Sequence, residues 1–166
     1  MGGRAVRSHA VLSDDELYRY SLLRVWDEEL PTLVFVMLNP STADAEVDDP
    51  TIRRCISFAK REGCGKLIVL NLYAFRATNP KALLTCADPV GDRNDSFLRA
   101  NIGARTEFGF PVVAAWGVNA DPARVAEVIA LVPDAKFVSL GVTKAGHPRH
   151  PLYVLGDQEL TEWRTA

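Results

Sequence analysis

Four largely apolar runs, each short enough for a strand and each followed by polar residues, constrain this chain most. Thr32–Leu38 (TLVFVML), Lys66–Phe75 (KLIVLNLYAF), Pro111–Trp116 (PVVAAW) and Lys136–Leu140 (KFVSL) lack the apolar–polar alternation of a sheet with one wet face. Such runs are read as strands covered on both sides. Helical patterns separate them. Asp49-Pro50 and Asp121-Pro122 place a capping carboxylate before a proline whose missing N–H costs nothing in a first helical turn. Ile52, Cys55, Ile56 and Ala59 recur at i, i+3, i+4 and i+7, which is one helical face, and Gly63 and Gly65 close that helix. Val125, Val128, Ile129 and Val132 repeat the device, and a further helix is expected from about Asn94 to Ala104. Tyr18–Trp26, rich in β-formers, reads as an early strand near a sheet edge.

Strands alternating with helices predict a single three-layer α/β/α domain with a mainly parallel central sheet. No repeat or low-complexity linker divides the 166 residues, so the whole chain, 1–166, is expected to form one domain, with residues 1–12 flexible. In such folds ligands bind beyond the carboxyl ends of the strands. That rule gathers Asn39–Asp49, Tyr73–Asn79, Trp116–Asn119 and Thr143–His150 into one polar pocket.

Composition narrows what the pocket meets. A net charge of -2, from 19 basic and 21 acidic residues, gives the whole molecule no strong pull toward polyanions, so nucleic-acid binding would need a local basic patch. Three cysteines, Cys55, Cys64 and Cys86, form no CxxC and have no histidine at ligand spacing, which argues against a metal site and a disulfide framework. Cys55 lies on the apolar helix face and reads as an inert thiol. The basic N-terminus is followed by no apolar stretch and no run is long enough to cross a membrane, so a cytoplasmic protein is expected. No cofactor is implied.

Several residues stand out within the loops. Asn39-Pro40-Ser41, with Asp44, Asp48 and Asp49 behind it, could hold a water against an electrophilic carbon, or could be an Asx-stabilised loop; for Asp49 the cap reading is preferred. Asn71 is a carboxamide inside an apolar strand. An unpaired buried amide costs about 1–3 kcal/mol, so it needs partners, either a neighbouring loop or the edge of a planar base. Tyr73 could stack on such a base or belong to the core, and Arg76 could contact phosphate or pair with a loop aspartate. Trp116 and Gly117 end the third buried run. Gly146-His147-Pro148-Arg149-His150-Pro151 puts two of the chain's three histidines and an arginine in one stiff loop, where His can donate a proton or hydrogen bond near neutral pH, or simply be solvated. Arg53 at a helix start and Arg149 are candidate anion contacts, against the alternative of a solvated face.

The stretches RYSLLRVWD, FVMLNPSTADAEVDDPTIRRC, LNLYAFRATNPKAL, DPVGDRND, VAAWG and GHPRHPLY resemble a bacterial and archaeal domain-of-unknown-function family (number 1643), from about Arg19 to Leu155. More remotely, the motif order is similar to the uracil-DNA glycosylase superfamily. Met37-Leu38-Asn39-Pro40-Ser41 resembles the superfamily's water-orienting loop, Asn71 its base-reading Asn, and His150-Pro151 its His-Pro motif. That resemblance implies a fold of that type, water positioning by Asn39, base recognition by Asn71 and leaving-group stabilisation by His150. The flanking glycines of the first motif and the iron–sulfur cysteines of some branches are missing, and Leu152-Tyr153 stands where a serine is expected. The expected function is therefore binding of a nucleobase or nucleotide, free or in nucleic acid, with hydrolysis of an N-glycosidic bond as the implied chemistry. A non-catalytic nucleotide or modified-base binding module is the main alternative, and an interaction protein with purely structural loops is the third.

Overall fold

The computed structural model of the chain describes residues 6–41 and 46–165; the expectation for Asp44 falls outside them. Seven strands form one sheet: β1 (Arg7–Leu12), β2 (Arg19–Val25), β3 (Thr32–Met37), β4 (Lys66–Asn71), β5 (Val112–Ala114), β6 (Phe137–Ser139) and β7 (Thr161–Glu162). Their spatial order is β1-β2-β4-β3-β5-β6-β7. The helices are α1 (Pro50–Arg61), α2 (Ala82–Thr85), α3 (Asn94–Glu107) and α4 (Pro122–Leu131), and a 3-10 turn spans Pro151–Tyr153.

The four apolar runs became β3 to β6, and their side chains divide by parity between two cores. Val34 and Val36 of β3 join Leu70, Val112 and Ala114 in one cluster with Leu98 and Ile102 of α3 and Val125 and Val128 of α4. Leu33, Phe35 and Met37 join Leu67, Val69 and Val113 in the other, beneath Ile52, Cys55, Phe58 and Ala59 of α1. A strand between two helical layers must be apolar at both parities, which is why these runs do not alternate. Each buried Leu, Val or Phe contributes about 1.5–3 kcal/mol by leaving water. Asp49 and Asp121 cap α1 and α4 as expected, accepting the N–H groups of Ile52 and Ala123 at 2.8 and 2.9 Å. The Cys55 thiol is fully buried, which pushes its pKa up and leaves it unreactive. No helix among the described residues is long and apolar enough to cross a membrane.

Three expectations need correction. The sheet is mixed: β4–β3, β3–β5 and β5–β6 pair in parallel, whereas β1–β2, β2–β4 and β6–β7 pair antiparallel. Helical crossovers enforce parallel pairing only in the centre; a short loop over residues 13–18 joins β1 to β2, and the chain folds back to add β7. Residues 7–12, expected to be flexible, form β1, because β2 offers an unpaired backbone edge. The early strand β2 lies second from that edge, near the edge as expected. Finally, β4 stops at Asn71 rather than Phe75. Beyond it, Ala74 and Phe75 donate their N–H groups to Val90 and Pro89 instead of to a strand.

Two glycine substitutions test this packing. A Cβ on Gly65 would meet the Asp27 carbonyl oxygen at 2.1 Å, while Gly103, inside α3, has nothing within 4 Å. In chemical denaturation Gly65→Ala is expected to destabilise by about 1–3 kcal/mol or more, since backbone must move. Gly103→Ala is expected to stabilise by about 0.5–1 kcal/mol through helix propensity.

Candidate binding cavity at the strand ends

Beyond the carboxyl ends of β3 to β6 lies a cavity of about 540 Å³. Its walls take Asn39, Pro40, Ser41 and Asp49 from the loop after β3, Ala77 and Thr78 from the loop after β4, Trp116–Asn119 after β5, and Thr143, Arg149 and His150 after β6. Parallel strands all present their carboxyl ends at one edge, so four loops distant in sequence meet there.

Asn71 ends β4 and is 2% exposed. Its parity directs it, with Leu67 and Val69, to the α1 face, where it lines the cavity. The side chain makes no hydrogen bond among the described residues, and its Nδ2 is fully buried without a partner. Its backbone is held firmly. Asn94 Nδ2 donates to the carbonyls of Asn71 and Leu72 at 3.0 and 3.2 Å, and Arg124 Nε donates to Leu72 at 2.9 Å. Arg124 is itself anchored to Asp95 at 2.7 Å. A fixed backbone thus carries an amide whose donor and acceptor are both uncommitted.

Asn39 is arranged differently. Its Nδ2 donates to the carbonyls of Ala77 at 2.8 Å and Pro40 at 3.1 Å, with Phe75 at 3.5 Å, tying the β3 loop to the β4 loop. These three acceptors fix the amide's orientation, and Oδ1 accepts no hydrogen bond among the described residues. The atom left for a ligand or water is therefore an acceptor. Ser41 Oγ donates to Asp49 Oδ2 at 2.9 Å while Asp49 Oδ1 caps α1, so both carboxylate oxygens serve the loop as well as the wall.

His150 is half-buried, and its Nδ1 accepts from the Leu152 N–H at 3.2 Å, capping the 3-10 turn. In the neutral ring this puts the proton on Nε2, a donor. Burial pulls the His150 pKa below the ordinary value, opposed by the charge of Asp49, so the neutral donor form prevails at neutral pH. Arg54 fastens α1 to this turn, donating to the carbonyls of Pro151, at 3.3 Å, and Val154. Trp116 is 3% exposed and meets Trp163 and Phe137 edge-on, at centroid distances of 5.0 and 6.5 Å, so it presents a rigid apolar wall. Gly117, with φ of 76°, turns the chain there and donates its N–H to the Pro148 carbonyl at 2.9 Å. Arg149 reaches the cavity while its Nε donates to Val142 at 3.2 Å.

Four residues singled out in the sequence lie elsewhere. Tyr73 faces the α3/α4 core, because the turn after Asn71 places it on the opposite face. Arg76 donates to the Glu16 carbonyl at 2.9 Å, outside the cavity. Arg53 is exposed on α1 and donates to the Asp48 carbonyl at 2.7 Å. His147 lines a separate groove beside α4 with Trp163, its N–H donating to Thr143 Oγ1 at 3.2 Å. Conversely, sequence reasoning did not single out Arg19, which lines the cavity although only 4% exposed. Burial first, and then the charge of Arg76, push its pKa down to about 10, which leaves it a cation at neutral pH. The available signal was a charge amid the β-formers of Tyr18–Trp26. Val118, Leu152 and Tyr153 add an exposed apolar rim.

Fold and cavity together define an α/β domain with a preformed, partly polar cleft at its strand ends. The chain belongs to a family described as protein of unknown function (DUF1643), whose model matches residues 19–152. No curated protein matches the chain. Among solved structures it is similar to an esterase, LipW, from Mycobacterium marinum, at 15% identity and a TM-score of 0.40, over 87% of this chain and 49% of that one. It is also similar to L-tryptophan dehydrogenase from Nostoc punctiforme, at 12% identity and a TM-score of 0.33, over 81% and 37% of the two chains. The hetero-hexameric glutamate dehydrogenase from Thermus thermophilus gives 14% identity and a TM-score of 0.32, over 76% and 29%. The chain thus spans half or less of each of these proteins.

Two measurements probe the cavity. Asn71→Leu replaces an unpartnered buried amide by an apolar group of similar size, so it is expected to raise stability by about 1 kcal/mol in denaturant titrations. A loss of stability would mean that the amide is structurally satisfied. Because the folded state holds His150 at a lowered pKa, the unfolded chain takes up that proton first as pH falls. The associated stability is complete above pH 6.5 and is lost as pH drops through the folded value. His150→Asn, which keeps a capping side chain, should flatten this part of the stability–pH curve below 6.5. Parallel curves for the two proteins would refute the assignment.

Proposed function

We propose that the cavity binds a nucleobase, as free base, nucleotide or part of a nucleic acid, and that the domain hydrolyses the N-glycosidic bond where the bound base carries a sugar. The observation that carries the binding reading is the side chain of Asn71: buried, unbonded and on the cavity wall. A carboxamide offers one donor and one acceptor side by side, the pattern on the edge of every base. Trp116, held edge-on by Trp163, lines the same cavity, and the volume accommodates a base with its sugar.

Hydrolysis is the chemistry that the remaining groups fit, in line with the resemblance to uracil-DNA glycosylases. Water adds through oxygen to the anomeric carbon, the C–N bond breaks with its electron pair leaving on the base, and the water's proton passes to solvent or to the departing nitrogen. Asn39 Oδ1 would hold the water, and His150 Nε2–H would donate to the base as negative charge grows. The fold class we assign is of that glycosylase type, and three free cysteines suit a reducing, cytoplasmic setting.

A second reading, a binding module without turnover, is favoured by Asp49. It is the cavity's carboxylate among the described residues, and both its oxygens are committed to Ser41 and to the α1 cap, which leaves no free general base. Incubation with nucleosides, nucleotides and single-stranded oligonucleotides, followed by chromatography for released base, separates the readings. Release by wild type, reduced at least about tenfold by Asn39→Ala or by His150→Ala, is expected for hydrolysis. Binding that Asn71→Ala abolishes, with no release, identifies the module. Absence of any binding sinks both.

A further inference from the structure

The polar groups of the cavity are spread along the sheet. Asn71 ends β4, and β3, β5 and β6 follow it in that order across the sheet. Arg149 stands beyond the ends of β5 and β6. Its N–H donates to the Gly141 carbonyl at 3.0 Å, and the Pro148 carbonyl before it accepts from Gly117 at 2.9 Å. At about 4.8 Å per strand, Arg149 lies two to three spacings, roughly 10–14 Å, from Asn71. Asn39, just past the end of β3, falls between them.

Arg149 differs from the buried arginines. Arg24 and Arg124 meet carboxylates, whereas Arg149 is exposed and pairs with no carboxylate among the described residues. Its Nε donates to the Val142 carbonyl at 3.2 Å, which orients the guanidinium and leaves both terminal amino groups for a ligand. Two such groups match two oxygens of one phosphate. Thr143 and Asn119 line the same cavity. Thr143 Oγ1 accepts from the His147 N–H, so its own proton is free to be donated. The Asn119 amide makes no hydrogen bond among the described residues.

Resting on the nucleobase reading above, we propose that the ligand is a free nucleotide with one terminal phosphate, and that Arg149 is its phosphate contact, assisted by Thr143 and Asn119. The base meets Asn71, the phosphate reaches Arg149, and the sugar between them lies by Asn39, whose Oδ1 is the water's acceptor in the hydrolysis above. The number of cations favours a single nucleotide over a polymer. A polynucleotide presents a phosphate at every residue, and its binders gather several cations. Among the described residues lining this cavity, Arg149 is the one exposed cation, and a net charge of -2 adds no background attraction.

Isothermal titration of wild type compares uridine, its 5′-monophosphate and a short single-stranded oligouridylate, with the adenosine series alongside. In at least one series the monophosphate is expected to bind at least about tenfold more tightly than the nucleoside or the oligomer. Arg149→Met should bring monophosphate and nucleoside within about threefold while leaving nucleoside affinity unchanged, with its fold checked by thermal unfolding. Arg149→Lys keeps the charge without the planar fork and should restore part of the margin. Equal binding of nucleoside and monophosphate by wild type overturns the inference and leaves the nucleobase reading standing. So does tighter binding of the oligomer. A margin that survives in Arg149→Met overturns the role of Arg149. Failure of wild type to bind any of these ligands overturns both.

Discussion

The whole arrangement depends on a sheet whose central strands are buried on both faces. Once β3, β4, β5 and β6 lie between α1 on one side and α3 and α4 on the other, their side chains at either parity leave water. Polar groups are then affordable only where the layers end. Parallel pairing puts all four carboxyl ends at one rim, and the loops leaving them carry Asn39, Trp116, Asn119 and His150 to the same place. The cavity is thus a consequence of the layering, with its contents supplied by the loops.

Within that rule Asn71 is the exception that gives the site its character. It stands one residue too deep to be solvated, on a backbone clamped by Asn94 and Arg124. Natural sequences tolerate such a costly group where function needs it, and the stability lost there is recovered in the two apolar cores. Asn39 shows the opposite use of the same residue type. Its amino group binds two loops together, and only its carbonyl oxygen is left over. Two asparagines of equal composition thus differ in role because one is bonded by backbone carbonyls and the other is not.

Charge follows the same logic. Arg24 and Arg124 are buried and meet carboxylates, Asp48 and Asp95, at 2.7 Å, so they hold the fold together. Arg19, equally buried, lies on the cavity wall. A net charge of -2 for the chain conceals this local cationic lining. Electrostatics averaged over a molecule says little about one desolvated corner of it.

The sequence by itself determined the four central strands, the capped starts of α1 and α4 and the side of the sheet where the loops gather. These are local signals: apolar parity, Asp-Pro caps and glycine stops act over a few residues. It also drew attention to Asn39, Asn71, Trp116 and His150 as polar or aromatic residues at strand ends. Only the tertiary structure decided the rest. It turned Tyr73 to the opposite core, left Arg53, Arg76 and His147 outside the cavity, recruited β1 and β7 to the edges of the sheet and brought Arg19 to the wall. Each of those outcomes depends on pairing between segments far apart in the chain, and a residue's neighbours across a sheet are set by register, which a single sequence does not display.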